Sequence, residues 1–317
     1  MRGIVTRSKV PVRGEAARVR RVAPAPEVVD PLWLIKAFAA MVLLALVCGY
    51  LTLCGLFYRG QWQLVLHPAT TSAAPATVGG VAFETVRFGA GPTGVPQLTG
   101  WWIPAAPAAA FASLTVLYLR GGDGSLADDQ ATLARLHDVG INVFAVDYRG
   151  YGQSAAMHPS ERSMTADTEA AWGYLTSSRA IPGDRVIPYG RGLGCALALG
   201  VAIEKRVAPA VVLEEPDFDV EERVRRDPRS RLVPVGLLLR ERFALEPGLE
   251  QTRVPKLILE HGERESPAVR RAAEPKLTVM LPDGDSSGFR STMKRFLDQY
   301  APAARAPGLV PRVAPAS

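Results

Sequence analysis

The sequence contains little cysteine and little histidine, and these shortages exclude several kinds of site. Two of the three cysteines, Cys48 and Cys54, lie in one long apolar run, so Cys195 is alone in the rest of the chain. A single cysteine has no internal disulfide partner, and nothing has the spacing of zinc ligands. The sequence therefore predicts no metal and no cofactor. All four histidines precede Glu265 in the chain, at positions His67, His137, His158 and His261.

Charge is absent from residues 37–58, a run of 22 positions between Lys36 and Arg59. At about 1.5 Å rise per residue, such a helix spans the roughly 30 Å hydrocarbon layer of a membrane. A cleaved signal peptide would have a shorter apolar core and a small-x-small site next to it, and no such site abuts this run. We therefore predict a single-pass signal anchor over residues 32–59, with a buried core helix as the alternative.

The net charge of +6 is concentrated at the N-terminus. Residues 1–36 hold eight basic and three acidic residues, which contributes 8 − 3 = +5, so the remainder is nearly neutral. A basic segment beside an apolar helix is typical of a topology signal and not of a nucleic-acid-binding surface. We expect the N-terminus in the cytoplasm, the C-terminal part outside the inner membrane, and no nucleic-acid partner.

Between two Pro- and Ala-rich stretches, apolar runs alternate with helical patterns. The pattern predicts a basic disordered tail at 1–31, a juxtamembrane segment and linker at 60–80, a folded domain at 81–300 and a second disordered tail at 301–317. Continuous apolar runs are typical of parallel strands buried on both faces. The predicted strands are 81–88, 98–104, 113–119, 141–147, 185–189, 210–215, 255–261 and 276–281.

The predicted helices fall in most of the gaps between these strands, at 126–139, 161–178, 193–206, 232–243 and 288–300. Strand–helix alternation of this kind implies right-handed crossovers. The fold class is therefore α/β: a mostly parallel eight-stranded sheet with helices on both faces, its first two strands forming an antiparallel edge. The insertion at about 217–253 is expected to form a short cap.

In such a sheet, ligands bind beyond the carboxyl ends of the strands, so the loops that follow the strands are informative. Five of these loops are RGGDG at 120–124, DYRGYGQS at 147–154, GRGLG at 190–194, HGERE at 261–265 and PDGDSSG at 282–288. In this order they resemble the α/β-hydrolase superfamily, in particular its membrane-anchored serine-peptidase-like, BEM46-like branch. The resemblance covers about residues 60–300, and DYRGYGQS is its most specific part.

The resemblance implies a nucleophile elbow of the form G-x-S-x-G. Here Gly190 and Gly194 keep the frame of the elbow, but Gly192 stands where the nucleophilic serine is expected. The family's histidine would fall at Ser286, and its acid at Glu265. The backbone of the oxyanion hole would fall at the positions Gly121, Gly122 and Leu193.

Losing the nucleophile and the base of such a triad lowers the turnover rate by a factor of about 10⁴–10⁶. The residues therefore favour a non-catalytic pseudohydrolase that binds a small ligand or a protein partner at the old site. The first alternative is an active hydrolase of ester or amide bonds with a displaced nucleophile, Ser154 or Cys195. The second is a dinucleotide-binding loop that starts at Gly190, with Glu214 as the acid that binds the ribose.

Overall fold

A computed structural model describes residues 30–70, 73–261, 265–282 and 284–301. The two tails expected at 1–31 and 301–317 lie almost wholly outside the described residues. The chain divides into two units, residues 1–51 and residues 52–317.

The first unit contains the start of helix α1 (Pro31–Gly60). The Asp30 carboxylate begins the helix by accepting a hydrogen bond from the Leu32 N–H at 2.9 Å. Apolar side chains such as Leu43 and Leu51 are more than half exposed. In the described part of the chain, α1 is the one helix long and apolar enough to cross a membrane. It is thus the candidate span that the uncharged run predicts.

The second unit is built on an eight-stranded sheet. Its strands are β1 (Glu84–Ala90), β2 (Pro96–Ile103), β3 (Phe111–Leu119), β4 (Ile141–Asp147), β5 (Val186–Arg191), β6 (Val211–Glu214), β7 (Lys256–Glu260) and β8 (Lys276–Met280). They lie in the order β8-β7-β6-β5-β3-β4-β2-β1. Strand β2 runs antiparallel to β1 and β4, and every other neighbouring pair is parallel. This confirms the mostly parallel sheet with an antiparallel edge.

Helices cover both faces of the sheet because its central strands, β3 to β7, bury apolar side chains on two sides. The helices are α2 (Gln130–His137), α3 (Glu161–Gly173), α4 (Gly194–Lys205), α5 (Val220–Arg226), α6 (Val235–Leu238), α7 (Glu246–Gln251), α8 (Pro267–Arg271) and α9 (Ser286–Tyr300). One hydrophobic core includes residues of α3 and α4, and the other includes residues of α2 and α9.

Two segments differ from the sequence-based expectations. The predicted juxtamembrane segment and linker at 60–80 begins with a 3-10 helix (Gln61–Leu64), and Val65 and Leu66 are buried in the core instead of lying at a membrane surface, because they are apolar. The apolar helix predicted at 232–243 shortens to the four residues of α6, because the Arg240 N–H bonds the Gln61 side chain instead of continuing a helix.

Candidate functional site

The turn between β5 and α4 keeps the backbone of a nucleophile elbow. Gly192, at its tip, has φ +56°, the left-handed region that side chains rarely adopt. A Cβ on Gly194 would lie 2.1 Å from the Leu119 carbonyl oxygen, and one on Gly190 would lie 2.4 Å from the Cα of Cys195. Strand and helix therefore approach so closely that positions 190 and 194 require glycine.

The tip of the turn is less crowded than its two ends. A Cβ on Gly192 would come no closer than 3.9 Å to the nearest atom, the Cα of Gly121. A side chain there would meet backbone strain but no collision. The turn thus has room for a side chain at the position where the resemblance expects the nucleophile.

Gly192 lies on the wall of a cavity of about 420 Å³ at the carboxyl ends of the strands. The predicted oxyanion positions Gly121, Gly122 and Leu193 line the same cavity, so the structure brings these four sequence-predicted residues together. The remaining lining residues are mostly charged: Val65, His67, Arg120, Asp123, Asp129, Arg191, Glu215, Asp217 and Arg223.

Arg120, directly after β3, holds the loop of Gly121 and Gly122 in place. Its side chain is 1% exposed, and its Nε donates to Asp129 Oδ2 at 3.0 Å. Nη1 and Nη2 donate to the backbone carbonyls of Asp123, Gly124 and Ser125 at 2.5 to 3.0 Å. Burial disfavours the charge, but the nearby carboxylates of Asp129 and Asp147 outweigh it and raise the pKa of Arg120.

Arg191, the residue before Gly192, links two carboxylates across the cavity. Its Nε lies 3.0 Å from Glu215 Oε2, and its Nη1 lies 3.7 Å from Asp129 Oδ1. His261 Nδ1 lies 2.6 Å from the other oxygen of Glu215. Partial burial opposes the charge of Glu215, but these two partners lower its pKa. The groups form a continuous chain of ion pairs and hydrogen bonds beside the elbow.

Two further pairs line the cavity. His67 Nδ1 lies 2.6 Å from Asp123 Oδ1, with side chains 60% and 81% exposed. Parallel pairing of His67–Pro68 with Asp123–Gly124 brings them together. In the cap, Arg223 Nη1 lies 2.7 Å from Asp217 Oδ2. Each carboxylate lining the cavity therefore lies beside an arginine or a histidine side chain.

The other two triad-equivalent positions do not line the cavity in the described part of the chain. Ser286 is exposed at the first turn of α9, where its N–H donates to the Gly284 carbonyl at 2.8 Å. Glu265 is half-buried, and its carbonyl accepts from Arg270 at 2.8 Å. Among the four histidines, all of which are described, His67 alone lines the cavity.

The displaced nucleophiles and the dinucleotide acid are engaged elsewhere. Ser154 Oγ accepts from the Thr99 N–H at 2.8 Å and donates to the Asp147 carbonyl at 2.6 Å. Cys195 is fully buried, and burial raises its thiol pKa well above the ordinary value. The Glu214 carboxylate is 1% exposed and bonded by Tyr189 and Arg135. None of these three side chains lines the cavity, and each is buried or hydrogen-bonded elsewhere.

Sequence comparison finds relatives of unassigned function, and no family model matches the chain. An uncharacterised protein of Mycobacterium tuberculosis is 30% identical over 193 residues, which is 59% of this chain and 66% of the relative. The uncharacterised protein YfhR of Escherichia coli K12 is 25% identical over 201 residues, 60% of this chain and 69% of YfhR. The chain thus matches about two thirds of the length of these relatives.

Comparison with solved structures identifies the fold. An esterase of Pyrococcus furiosus superimposes with a TM-score of 0.54 at 16% identity, covering 74% of this chain and 97% of the esterase. An α/β-hydrolase of Vibrio vulnificus gives a TM-score of 0.50 at 20% identity, covering 69% of this chain and 78% of that protein. The second unit has the α/β-hydrolase fold, and the turn of Gly190, Gly192 and Gly194 lies at the carboxyl end of strand β5.

Proposed function

We propose that this chain is a membrane-anchored pseudohydrolase of the serine-peptidase-like, BEM46-like branch. It binds a small ligand or a protein partner in the cavity at Gly192 and does not hydrolyse it. The observation that carries the proposal is Gly192 itself. The elbow keeps the two glycines that its close packing requires, and the cavity persists beside it, but the position of attack has no side chain.

The charged lining supports binding in place of catalysis. Arg120 and Arg191 use their guanidinium groups in fixed ion pairs, which stiffen the cavity wall. Because each lining carboxylate lies beside an arginine or a histidine, the cavity presents both hydrogen-bond donors and acceptors to a ligand. Such a surface favours a polar ligand over an apolar one.

The experiment that tests this proposal is turnover of short-chain nitrophenyl esters by the full chain in detergent. We expect rates at background for the natural chain. The Gly192→Ser variant is the matched control, because its Cβ has room and it restores only the nucleophile. Since no histidine contacts that position in the described residues, we expect it to stay within about tenfold of background. Rapid turnover by the natural chain would refute the proposal.

A second candidate function is favoured by one observation, the pairing of His67 with Asp123 on the cavity wall. A carboxylate at Nδ1 orients Nε2 as a base, as in a triad. Water would then attack the substrate carbonyl carbon, giving its proton to His67, which would return a proton to the leaving alkoxide. Hydrolysis by His67 ranks second because the side chains of His67 and Asp123 are both largely exposed. Ester turnover abolished by His67→Asn would favour it.

We further propose that α1 anchors the protein in the inner membrane, with the N-terminus in the cytoplasm and the second unit outside. The basic residues of 1–36 support this orientation. Protease added to spheroplasts is expected to digest the C-terminal unit without permeabilisation. Complete protection of that unit until lysis would reverse the proposed orientation.

A further inference from the structure

The end of α1 is tied to the cap by one buried side chain. Gln61 is 2% exposed, and its Nε2 donates to the Tyr58 carbonyl at 3.0 Å and to the Leu238 carbonyl at 3.1 Å. Its Oε1 accepts from the Arg240 N–H at 2.6 Å. Both ends of the amide are used, so the cap segment around 238–240 is fixed next to the residues that follow the apolar run.

A second contact ties the same cap segment to the end of the uncharged run. The Arg240 Nη1 donates to the Tyr58 hydroxyl at 2.9 Å, and the guanidinium lies 5.3 Å from the Tyr58 ring centroid. Tyr58 is the last residue of the uncharged run, and Arg59 follows it. Tyrosine at the end of an apolar span is typical of the membrane–water interface. Arg240 therefore contacts the residue at which the uncharged run ends.

Two leucines of the same cap are unusually exposed. Leu232 is 75% exposed, and Leu237, in α6 beside Leu238, is 82% exposed. They are the most exposed large apolar side chains among the described residues from 52 onward. A single exposed leucine needs no explanation, but two within six residues, next to the end of an apolar span, form a pattern that water does not favour.

Arginines accompany the leucines. Arg231 is exposed next to Leu232, and no carboxylate among the described residues forms an ion pair with it. Arg240 uses its guanidinium on Tyr58 and not on a carboxylate. Arginine extends an apolar stem along a membrane surface and offers its guanidinium to phosphate oxygens. Leucine and arginine together are the composition of a segment that lies in the interface.

We infer that Arg231, Leu232, Leu237 and Arg240 of the cap, called the cap face below, rest in the lipid head-group layer of the bilayer that α1 enters. The inference depends on the proposed membrane anchoring and goes beyond it. Arg223, which lines the cavity, belongs to the same cap through α5. The contact with lipid would therefore hold the cavity close to the membrane surface, where ligands that partition into the interface are concentrated.

The experiment measures lipid contact at single positions of the full chain. Cys48 and Cys54 are replaced by alanine, Cys195 stays because it is fully buried, and one cysteine is introduced as Leu237→Cys or Leu232→Cys. The matched control is Val207→Cys, an apolar side chain that is 52% exposed outside the cap. Each variant is labelled with an environment-sensitive fluorophore and inserted into vesicles of phosphatidylethanolamine and phosphatidylglycerol. Quenching is compared between a head-group nitroxide lipid and aqueous iodide.

At positions 232 and 237 we expect strong quenching by the nitroxide lipid and several-fold less by iodide than at position 207. If iodide quenches all three positions equally while the chain resists alkaline extraction, the anchor stands and the cap contact is refuted. If both quenchers fail at 232 and 237, a protein covers the face, which also overturns the inference. Release of the chain by alkaline extraction would instead refute the anchoring on which the inference depends.

Discussion

Arg120 is the residue whose removal should cost this site most stability. It stands at the start of the loop of Gly121 and Gly122, and its guanidinium is almost completely buried. Replacing it with methionine keeps much of the volume but leaves the Asp129 carboxylate without its main partner. Breaking a buried ion pair by removing one partner costs about 3–5 kcal/mol.

The structure places Arg120→Met at the lower end of this range. Arg191 Nη1 remains 3.7 Å from Asp129 and offsets part of the loss. A loss of about 3 kcal/mol lowers the Tm of a domain of this size by about 6–12 °C. Burial already raises the pKa of Asp129, and without Arg120 the carboxyl is expected to take up a proton more readily.

The assay is thermal unfolding of the full chain in detergent, followed by circular dichroism. The matched control is Arg226→Met, which removes an exposed ion pair with Glu222 and is expected to change the free energy of unfolding by less than about 1 kcal/mol. An Arg120→Met variant as stable as Arg226→Met would show that the buried pair of Arg120 and Asp129 does not stabilise the loop.

Three further predictions concern the elbow and its surroundings. Gly194→Ala should unfold the domain or lower its Tm by more than about 6 °C, since its Cβ would collide with the Leu119 carbonyl, whereas Gly192→Ala should cost only about 1–2 kcal/mol of backbone strain. Burial raises the pKa of Asp147 to about 6 from 3.8. Between pH 3.8 and about 6 the folded state therefore holds a proton that the unfolded state has lost, so the free energy of unfolding falls as the pH rises through this range. Asp147→Asn should flatten this fall, as measured by urea titration at several pH values. Cys195 should resist alkylation in the native protein and react only after denaturation, as read by peptide mass spectrometry.

The sheet was predictable because its strands are continuous apolar runs, and burial on both faces leaves such runs few other structures. The cap was predicted less well. The apolar segment around Leu238 has a helical pattern, but hydrogen bonds from Gln61, a residue far away in sequence, take its backbone groups. Local sequence carries no signal for a partner that lies 177 positions away.

At the site, the glycine frame was predictable because close packing at Gly190 and Gly194 requires specific residues. The ion pairs were not, since Arg191 meets Glu215 only when β5 and β6 lie side by side. The pairing of His67 with Asp123 joins the predicted juxtamembrane segment to the loop after β3. Local signals of a charged wall were present in the loops themselves, as Arg191 beside Gly192 and as Arg120 and Asp123 in RGGDG.

We propose above all that the cavity at Gly192 binds its ligand and does not attack it. The most direct test is reaction of the full chain with a fluorophosphonate probe, followed by intact-mass and peptide mass spectrometry. A protein of the same fold provides a positive control, since esterase 2 of Thermogutta terrifontis is phosphonylated by sarin. We expect no adduct on the natural chain under conditions that label the control completely. A stoichiometric adduct on a single serine would refute the proposal and identify the chain as an active hydrolase.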